Sequence, residues 1–547
     1  MEMKNRMENP SAVPLNSEWK VREEAHGNLS VGKRLRRYFR DYCEGSSLIG
    51  FRYLGEKRSR GERILWFFII LLSIVLSIYY VVEIYSKYVE NPFIVNMATR
   101  ESPIFKIPFP AVTICPTVKT SKNYFNFTGA IHRLLDDENI TDEDMRYTQY
   151  FSLVCDSIDE SYKEKLPPNK TFTEDFFDSL DYLKPSFSEV FSICQFMGHD
   201  VECEDLFVPV VVDEGICYTF NMLNREDIYK DNVYYYSDYL QNLNHTNWTI
   251  NEGYPKGTGQ NVYPRRALLS GADNALEIYL LQRTQETDYL CLQDTEGYTV
   301  HLHTPQTIPQ LKKNYFSVPL DTSVRAIVKP GMMTTSKEVK NYKTMDRKCY
   351  FTDERFLKYF EIYTPENCQL ECLTNHTLEM CNCVNYFMPR QNTTDICGNA
   401  MSDCMKLAEI SMKTREIESQ LSEDYQTSNG CNCMPICTSL SYQAETSRTP
   451  FPWRDIFRAE KTMVELLGPL ELDKKMHLSK LSIYFSSDMF LQMERTELYG
   501  FFDLMSNIGG ILGLFNGFAL LSVVEIIYYI SVRLWCNYQL HNDILES

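Results

Sequence analysis

The chain has 547 residues and a formal net charge of −18 at pH 7. This length allows several domains, and the acidic balance argues against a nucleic-acid-binding protein, which needs a basic face. Of 18 cysteines, Cys43 comes first and Cys536 last, and the other 16 lie between Cys115 and Cys437. An even number crowded into one region predicts disulfides formed in an oxidising compartment.

The first long apolar run predicts a membrane span. Residues Ile64–Val82 form 19 consecutive positions without a charge, which is enough for a helix to cross about 30 Å of hydrocarbon. Lysines and arginines precede the run, so the positive-inside rule places this end in the cytosol. The run begins too late and is too long for a cleaved signal peptide. We therefore predict a cytosolic region at 1–63 and a span at 64–84.

The region 85–500 is predicted to be extracellular. Seven Asn-x-Ser/Thr sequons favour exposure to the glycosylation machinery. The expected glycosylation sites are Asn126, Asn139, Asn169, Asn244, Asn247, Asn375 and Asn392. Short apolar runs predict strands near 111–115, 215–220, 275–281, 298–303, 324–331 and 481–486. Residues 123–184 are predicted to be helical or irregular, and 364–404 and 403–425 helical. The whole indicates a cysteine-stapled α+β ectodomain.

The second apolar stretch, 501–532, is interrupted by small and polar residues. Within it lie Gly509, Gly510, Gly513, Gly517, Asn507, Asn516, Ser522 and Glu525. Polar groups at membrane depth are tolerated when they are buried in protein or line water, whereas glycines at four-residue spacing also suit close helix packing. From this stretch alone, lining of an ion pore and close packing against another helix remain alternatives. A second crossing would return the tail, 533–547, to the cytosol and make the chain a two-span plasma-membrane protein.

The sequence offers little support for an enzyme. It contains no HExxH, GxSxG or phosphate-binding GxxxxGK[ST] motif. His199, His301 and His303 are potential ligands or bases, but scattered histidines are more simply surface residues. The Cys-x-Cys pairs at 381/383 and 431/433 would suit zinc, although disulfides are favoured in an oxidising compartment. We expect no catalytic residues, no metal and no cofactor.

Three motifs carry a resemblance to the degenerin/epithelial sodium channel family. They are FPAVTIC at 109–115, the cysteine pattern from Cys349 to Cys383 followed by CNCMPIC at 431–437, and GLFNGFALLSVVEIIYY at 513–529. The similarity extends from about Cys43 to Trp535, and the segment from 359 to 390 is most similar to the insect pickpocket branch. The resemblance implies a trimeric channel. Each subunit would have two transmembrane helices and an ectodomain with palm, β-ball, finger, thumb and knuckle.

The resemblance also implies a disulfide framework. Carried over by spacing, the pairs are Cys115–Cys217, Cys194–Cys203, Cys349–Cys437, Cys368–Cys433, Cys372–Cys431, Cys381–Cys404 and Cys383–Cys397. Two cysteines, Cys155 and Cys291, are left over, and we predict that they form an eighth bridge.

Further implications concern the pore. The family's Gly-x-Ser selectivity belt aligns with Gly517, Phe518 and Ala519, so alanine replaces the usual serine. Backbone carbonyls of such a belt replace the hydration water of the ion. Asn516 stands where the family commonly has an apolar residue. Glu525 would supply a ring of three carboxylates, or alternatively be a paired or interfacial residue.

Other positions are implied to act in gating. Ser506 aligns with a site where bulky side chains hold the pore open, and Gly513 with a site linked to amiloride block. Asp503 would concentrate cations at the outer mouth or only cap its helix. The family's His-Gly motif before the first span reads Ile49-Gly50 here, so a titratable residue is lost.

The resemblance therefore implies an amiloride-sensitive, sodium-permeable channel subunit with a sensory or ion-transport role. Its partners would be sodium ions, the lipid bilayer and related subunits in a homo- or heterotrimer, and not nucleic acid. A non-conducting or regulatory subunit is the first alternative, because Ile49 and Ala519 both depart from the family pattern. A two-span receptor or adhesion protein is the second. The stimulus stays open among force, ligand, osmolarity and protons.

Overall fold

The computed structural model describes residues 31–155, 160–236, 239, 247–259, 262–292, 296–421, 430–459, 475–536 and 539. Contacts divide the chain into two compact units, which are described separately. The first unit combines Met1–Ile94 with Glu497–Ser547, and the second is Val95–Thr496.

Sixteen α-helices are assigned within the described residues. They are α1 Val31–Gly45, α2 Phe51–Gly55, α3 Arg60–Glu90, α4 Phe127–Leu135, α5 Asp142–Val154, α6 Glu160–Lys163, α7 Asp175–Leu183, α8 Phe187–Val190, α9 Cys203–Leu206, α10 Arg225–Ile228, α11 Thr344–Arg347, α12 Pro365–Cys381, α13 Ser402–Leu421, α14 Trp453–Ala459, α15 Phe501–Asn516 and α16 Leu520–Ile530.

The strands assigned in the same ranges number seventeen. They are β1 Phe93–Met97, β2 Ser102–Pro103, β3 Ala111–Pro116, β4 Thr171–Phe172, β5 Phe191–Phe196, β6 His199–Asp200, β7 Phe207–Val212, β8 Gly215–Phe220, β9 Leu276–Arg283, β10 Tyr298–His303, β11 Phe316–Val318, β12 Thr322–Thr335, β13 Ile396–Cys397, β14 Ser439–Pro450, β15 Met476–Phe485, β16 Met489–Phe490 and β17 Met493–Glu497.

Two sheets organise the second unit, a larger mixed sheet and a smaller antiparallel one. The larger has the order β1-β17-β12-β15-β9-β5-β6, with β14 also paired to β12, and the smaller has the order β11-β10-β3-β8-β7. In the larger sheet β12 runs parallel to β15 and antiparallel to β14. The six strand predictions therefore coincide with β3, β8, β9, β10, β12 and β15, although β12 and β15 are longer than predicted.

The motif that begins at Phe109 joins these two sheets through their core. Phe109 is fully buried, and its ring meets Phe196, Phe220 and Phe485 edge to face at 5.4–6.0 Å between centroids. Such contacts add about 0.5–1.5 kcal/mol per pair to the apolar burial. The following β3 is buried at every position, because both of its faces are covered. The motif thus supplies a core anchor followed by a central strand.

A second core lies among helices in the region that the sequence predicted to be helical or irregular. Phe127 of α4, Phe151 of α5 and Phe176 of α7 are almost completely buried in one cluster. Thr141 caps α5 by accepting a hydrogen bond from the backbone N–H of Asp144. Because apolar residues recur at helical spacing on each of these helices, they pack into a helical layer rather than an irregular loop.

Eight disulfides staple this unit, and they are the same eight pairs that the sequence predicted. They are Cys115–Cys217, Cys155–Cys291, Cys194–Cys203, Cys349–Cys437, Cys368–Cys433, Cys372–Cys431, Cys381–Cys404 and Cys383–Cys397. Three of these bridges begin in α12. Two of them lead to Cys431 and Cys433, shortly before β14, and the third leads to Cys404 in α13. Cys155 ends α5 and connects the helical layer to Cys291.

The predicted glycosylation sites are mostly accessible. The side chains of Asn126, Asn139, Asn247, Asn375 and Asn392 are exposed, whereas Asn169 is half-buried. Asn126 also caps α4 by accepting a hydrogen bond from the backbone N–H of Gly129. Asn244 lies outside the described residues.

Among the described residues, one helix by itself is long and apolar enough to cross a membrane. This is α3, Arg60–Glu90, whose first turn is closed by a capping box between Ser59 and Glu62. It extends beyond the predicted span at both ends. The second apolar stretch meets the same test only as a pair of helices, Phe501–Asn516 and Leu520–Cys536, bent by 69° as a broken span or a re-entrant loop.

The disulfide framework predicts a thiol count. Cys43 and Cys536 are the two free cysteines of the described chain, so the chain denatured without reductant should label at two thiols. Replacing Cys155 with serine should raise the count to three by releasing Cys291, and should cost about 2–5 kcal/mol of stability. Maleimide labelling followed by mass spectrometry measures this. Cys43→Ser, which should lower the count to one, is the control, and labelling of Cys155 or Cys291 in the unmodified chain would contradict the pairing.

Candidate functional site

The break between α15 and α16 coincides with the three residues predicted to form the belt. Gly517 ends α15 in a left-handed conformation, with φ of 64°, and its N–H donates to the carbonyl oxygen of Gly513. Glycine adopts this conformation without the strain that a Cβ atom brings. Ala519, in extended conformation, precedes the first turn of α16. The chain at 517–519 is therefore non-helical, and the N–H groups of Gly517 and Phe518 bond back to α15. The last carbonyl groups of α15, at 515 and 516, need partners from elsewhere.

One partner is the segment 46–50, which lies between α1 and α2. The N–H of Ile49 donates to the carbonyl oxygen of Asn516 at 3.1 Å. Cγ1 and Cδ1 of Ile49 lie against Gly517, and a Cβ atom added to Gly517 would overlap Cγ1 and approach Cδ1 to 2.8 Å. Gly50, with φ of 94°, lets the chain turn directly afterwards. The segment that precedes the first long helix thus contacts the break in the second.

Asn516 connects the break to the side of α3. Its Nδ2 donates to Oγ of Ser77 at 3.0 Å, and the hydroxyl of Ser73 lies 3.2 Å from its Oδ1. Ser73 also donates to the carbonyl oxygen of Phe515 at 2.5 Å. Ser77 is almost completely buried. The polar residue at 516 therefore has a definite set of partners on the neighbouring helix.

Glu525 lies one and a half turns into α16 and faces the same segment. Its Oε2 accepts hydrogen bonds from the backbone N–H of Ser47 at 3.1 Å and from the Ser47 hydroxyl at 2.7 Å. The Ser47 hydroxyl is also 2.8 Å from that of Ser522, which accepts from the N–H of Ala519. The other carboxylate oxygen of Glu525 is buried without a hydrogen-bond partner in the described part of the chain. Within one subunit, Glu525 is a paired residue with one oxygen left over.

The other predicted positions lie on α15, away from this network. The carboxylate of Asp503 accepts from the N–H of Gly500 at 3.1 Å, so it caps the helix. Ser506 is exposed and Gly513 is half-buried. Fourteen residues of helix separate Asp503 from Gly517, or about 21 Å along the axis. The structure thus brings together Ile49, Gly50, the break and Glu525, and keeps Asp503 and Ser506 apart from them.

Sequence reasoning missed three serines at this site, Ser47, Ser73 and Ser77, whereas Ser522 was noted as a polar residue of the second apolar stretch. Ser73 and Ser77 looked unremarkable because serine is tolerated in apolar helices, where its hydroxyl bonds to a carbonyl of the preceding turn. The available signal was the spacing of Ser73 and Ser77, which puts both hydroxyls on one face of α3.

The histidines considered as bases or ligands are not at this site. His301 and His303 are neighbours on one face of β10, with ring centroids 5.4 Å apart, and His303 Nε2 lies 2.8 Å from the Thr113 hydroxyl. Burial lowers the pKa of His303 to about 3, so it stays neutral in the core. His199 is exposed on β6. Across the described ranges no group of three or more His, Cys, Asp or Glu side chains is arranged to hold a metal ion.

The contact between Gly517 and Ile49 predicts a specific effect of adding one methyl group. Gly517→Ala should destabilise the chain, because a non-glycine residue in this conformation costs about 1–2 kcal/mol and the methyl group meets Ile49. Replacing Ile49 with alanine in the same chain removes the overlap and should recover part of the loss. Thermal unfolding of the solubilised protein measures both. Gly61→Ala is the matched control, since nothing lies within 4 Å of its added Cβ atom; equal effects of the two alanines would contradict the assignment.

Comparison with known proteins identifies the family of the chain. The family model for the amiloride-sensitive sodium channel matches residues 42–529. Pickpocket protein 28 of Drosophila melanogaster is 27% identical, with 90% of this chain and 78% of that protein covered. Sodium channel protein Nach of Drosophila melanogaster is 24% identical, covering 92% and 89%. Acid-sensing ion channel 4-B of Danio rerio is 23% identical, covering 89% and 75%. These proteins are channels and not enzymes, and the chain belongs to the amiloride-sensitive sodium channel, or degenerin/epithelial sodium channel, family.

Proposed function

We propose that this chain is a subunit of a sodium-permeable, amiloride-sensitive cation channel of the plasma membrane, with a sensory or ion-transport role. The observation that carries the proposal is the non-helical break at 517–519, held by the segment 46–50 and by α3. Non-helical backbone at membrane depth is tolerated where it is buried in protein or lines a water-filled path. A span that serves only as a membrane anchor would not need such a break.

The proposed topology has two spans and cytosolic ends. Helix α3 is the first span, and α15 with α16 is the second, broken span. The basic residues before α3 favour a cytosolic N-terminus, and a second crossing returns the tail to that side. Eight disulfides and the exposed sequons support an extracellular position for the region between the spans. Its 85–500 boundaries follow from this topology.

Three subunits around one axis would place three copies of the break together. Carbonyl oxygens of Gly517, Phe518 and Ala519 would then replace the ion's hydration shell. Ala519 supplies a carbonyl but no hydroxyl, so selectivity rests on backbone oxygens. The nearest hydroxyl, that of Ser522, is almost completely buried and occupied by Ser47 and Ala519. It cannot substitute for the missing serine without a rearrangement.

A second candidate is a non-conducting or regulatory subunit of a heterotrimer, and Ile49 is the observation that favours it. The side chain covers Gly517 but remains 66% exposed. Three such isoleucines at the lower end of a pore would present an apolar ring where the family pattern has histidine. Hydrophobic constrictions impede ions by excluding water.

Expression of the chain in oocytes, alone and with a related subunit, distinguishes these candidates. A conducting subunit should give a current that falls when sodium is replaced by N-methyl-D-glucamine and that amiloride blocks. A regulatory subunit should give no current alone but should change the selectivity of the co-expressed channel. Ala519→Ser and Ile49→His, which restore the family pattern, should raise sodium selectivity or current in either case. Surface-expressed chain that never alters any current would contradict both candidates.

Ser506 offers a test of the pore that does not depend on the stimulus. A bulky residue in place of exposed Ser506 should hold the helices apart and produce constitutive current, measured as a standing, amiloride-sensitive conductance. Ser506→Ala keeps the residue small and is the control. Unchanged conductance in a surface-expressed bulky variant would count against a pore lined by this face of α15.

A further inference from the structure

An aromatic cavity lies within the second unit, far along the chain from the residues of the proposed pore. Its volume is about 50 Å³ and it is partly open to the surface. Like the lining of ligand pockets, its lining is mostly aromatic and apolar with a few placed polar groups. The walls include Phe177 of α7, Val210 of β7, and Tyr234, Tyr236 and Tyr386 from loops. None of these residues has a role in the proposed ion path.

One charged residue, Arg390, lies in the wall of this cavity. It is only 4% exposed, and its guanidinium lies 4.1 Å from the ring centroid of Tyr234 and 5.8 Å from that of Phe177. The Nη1 group donates to the carbonyl oxygens of Thr394 at 3.1 Å and Gln391 at 3.4 Å. The aromatic rings and these two carbonyls hold the guanidinium in one orientation.

The remaining two nitrogens of Arg390 are unsatisfied. Nε and Nη2 are buried and have no hydrogen-bond partner within the described ranges. Their N–H bonds run parallel along one edge of the guanidinium, which is the edge that binds a carboxylate with two hydrogen bonds. Buried charged donors without hydrogen-bond partners raise the free energy of the folded state. An anionic group bound at this edge would remove that cost.

The nearest carboxylate in the chain does not fill this position. Glu174 Oε1 lies 4.0 Å from Nη2, beyond hydrogen-bond distance, and the Glu174 side chain is 61% exposed. Two other acidic residues near the cavity are occupied by tyrosines: Asp178 accepts from the hydroxyl of Tyr236 at 3.0 Å, and Asp181 from that of Tyr239 at 2.6 Å. Asp395 also acts on the charge of Arg390, but it forms no hydrogen bond with Nε or Nη2. The carboxylate that completes this edge therefore has to come from outside the described chain, or from a movement of Glu174 or Asp395.

We propose that this cavity is a binding site for a small organic carboxylate, held by Nε and Nη2 of Arg390 and packed against the rings of Phe177 and Tyr234. The carboxylate supplies two charge-assisted hydrogen bonds, and the aromatic walls favour a flat, apolar remainder of the ligand. Glu174 is the internal competitor, close enough to approach the empty edge and exposed enough to leave it. This site is independent of whether the chain conducts ions.

Benzoate is a suitable probe, and benzamide is its neutral counterpart of the same shape. Thermal unfolding of the solubilised full chain should shift upward with millimolar benzoate and not with benzamide, since a ligand that binds only the folded state stabilises it. Arg390→Gln should weaken benzoate binding by about tenfold or more, as expected when a bidentate charged contact is lost. Glu174→Gln should strengthen it by removing the competitor.

If the Arg390→Gln variant does not fold, Arg390→Lys provides a second test of the proposed contact. It retains the charge but lacks the two-nitrogen edge, so it should also weaken benzoate binding, while Lys358→Gln, at an exposed position elsewhere, should not. Equal shifts with benzoate and benzamide, or full benzoate binding by Arg390→Lys, would overturn the proposal. So would a Glu174→Gln chain that is less stable and still insensitive to benzoate, because Glu174 would then be the true partner of Arg390.

Discussion

The interruption of an apolar helix at Gly517 is the constraint on which the first unit depends. A helix that stops in the middle of an apolar stretch leaves carbonyl and N–H groups without intrahelical partners. In hydrocarbon each such group would cost several kcal/mol. The chain meets this cost with three separate donors and acceptors: the N–H of Ile49, the hydroxyl of Ser73 and the hydroxyl of Ser522. The break is therefore a built feature with its own supports.

Those supports make the break responsive to other parts of the chain. Ser47 contacts both Ser522 and Glu525, and Ile49 contacts both Asn516 and Gly517, so segment 46–50 cannot move without releasing bonds on each side of the break. Helix α1 extends this coupling, because the Tyr38 hydroxyl donates to the carbonyl oxygen of Tyr529 near the end of α16. A displacement of segment 46–50 would therefore break hydrogen bonds next to the residues proposed to select the ion.

Much of the ectodomain was predictable because its signals are local. Short β-branched and aromatic runs located six strands. Cysteine spacing through the family resemblance gave seven disulfide pairs, and the two cysteines left over gave the eighth. The strand β14, Ser439–Pro450, was missed because it is rich in Ser, Thr, Gln and Glu, which reflects its exposed outer position beside β12. The strand β7 was overlooked although it pairs with the strand that directly follows it, β8. The strand β5 was overlooked, since its long partner β9 is distant in sequence. Local pattern does not report such tertiary contacts.

The partners of Asn516 illustrate a different limit of prediction from sequence. An asparagine in an apolar stretch indicates that a polar partner exists, but it does not say which one. Ser73 and Ser77 are more than 400 residues away in sequence and carry no motif. Their pairing depends on how α3 and α15 face each other.

In the proposed channel, the residues at 516 and 519 have linked consequences. Asn516 places its hydrogen-bonding groups on Ser73 and Ser77 of α3, so the break is tied to the first long helix. Ala519 has no side-chain group to offer an ion. Selectivity in such a channel would then rest on the positions of backbone carbonyl oxygens next to a break that α3 holds in place.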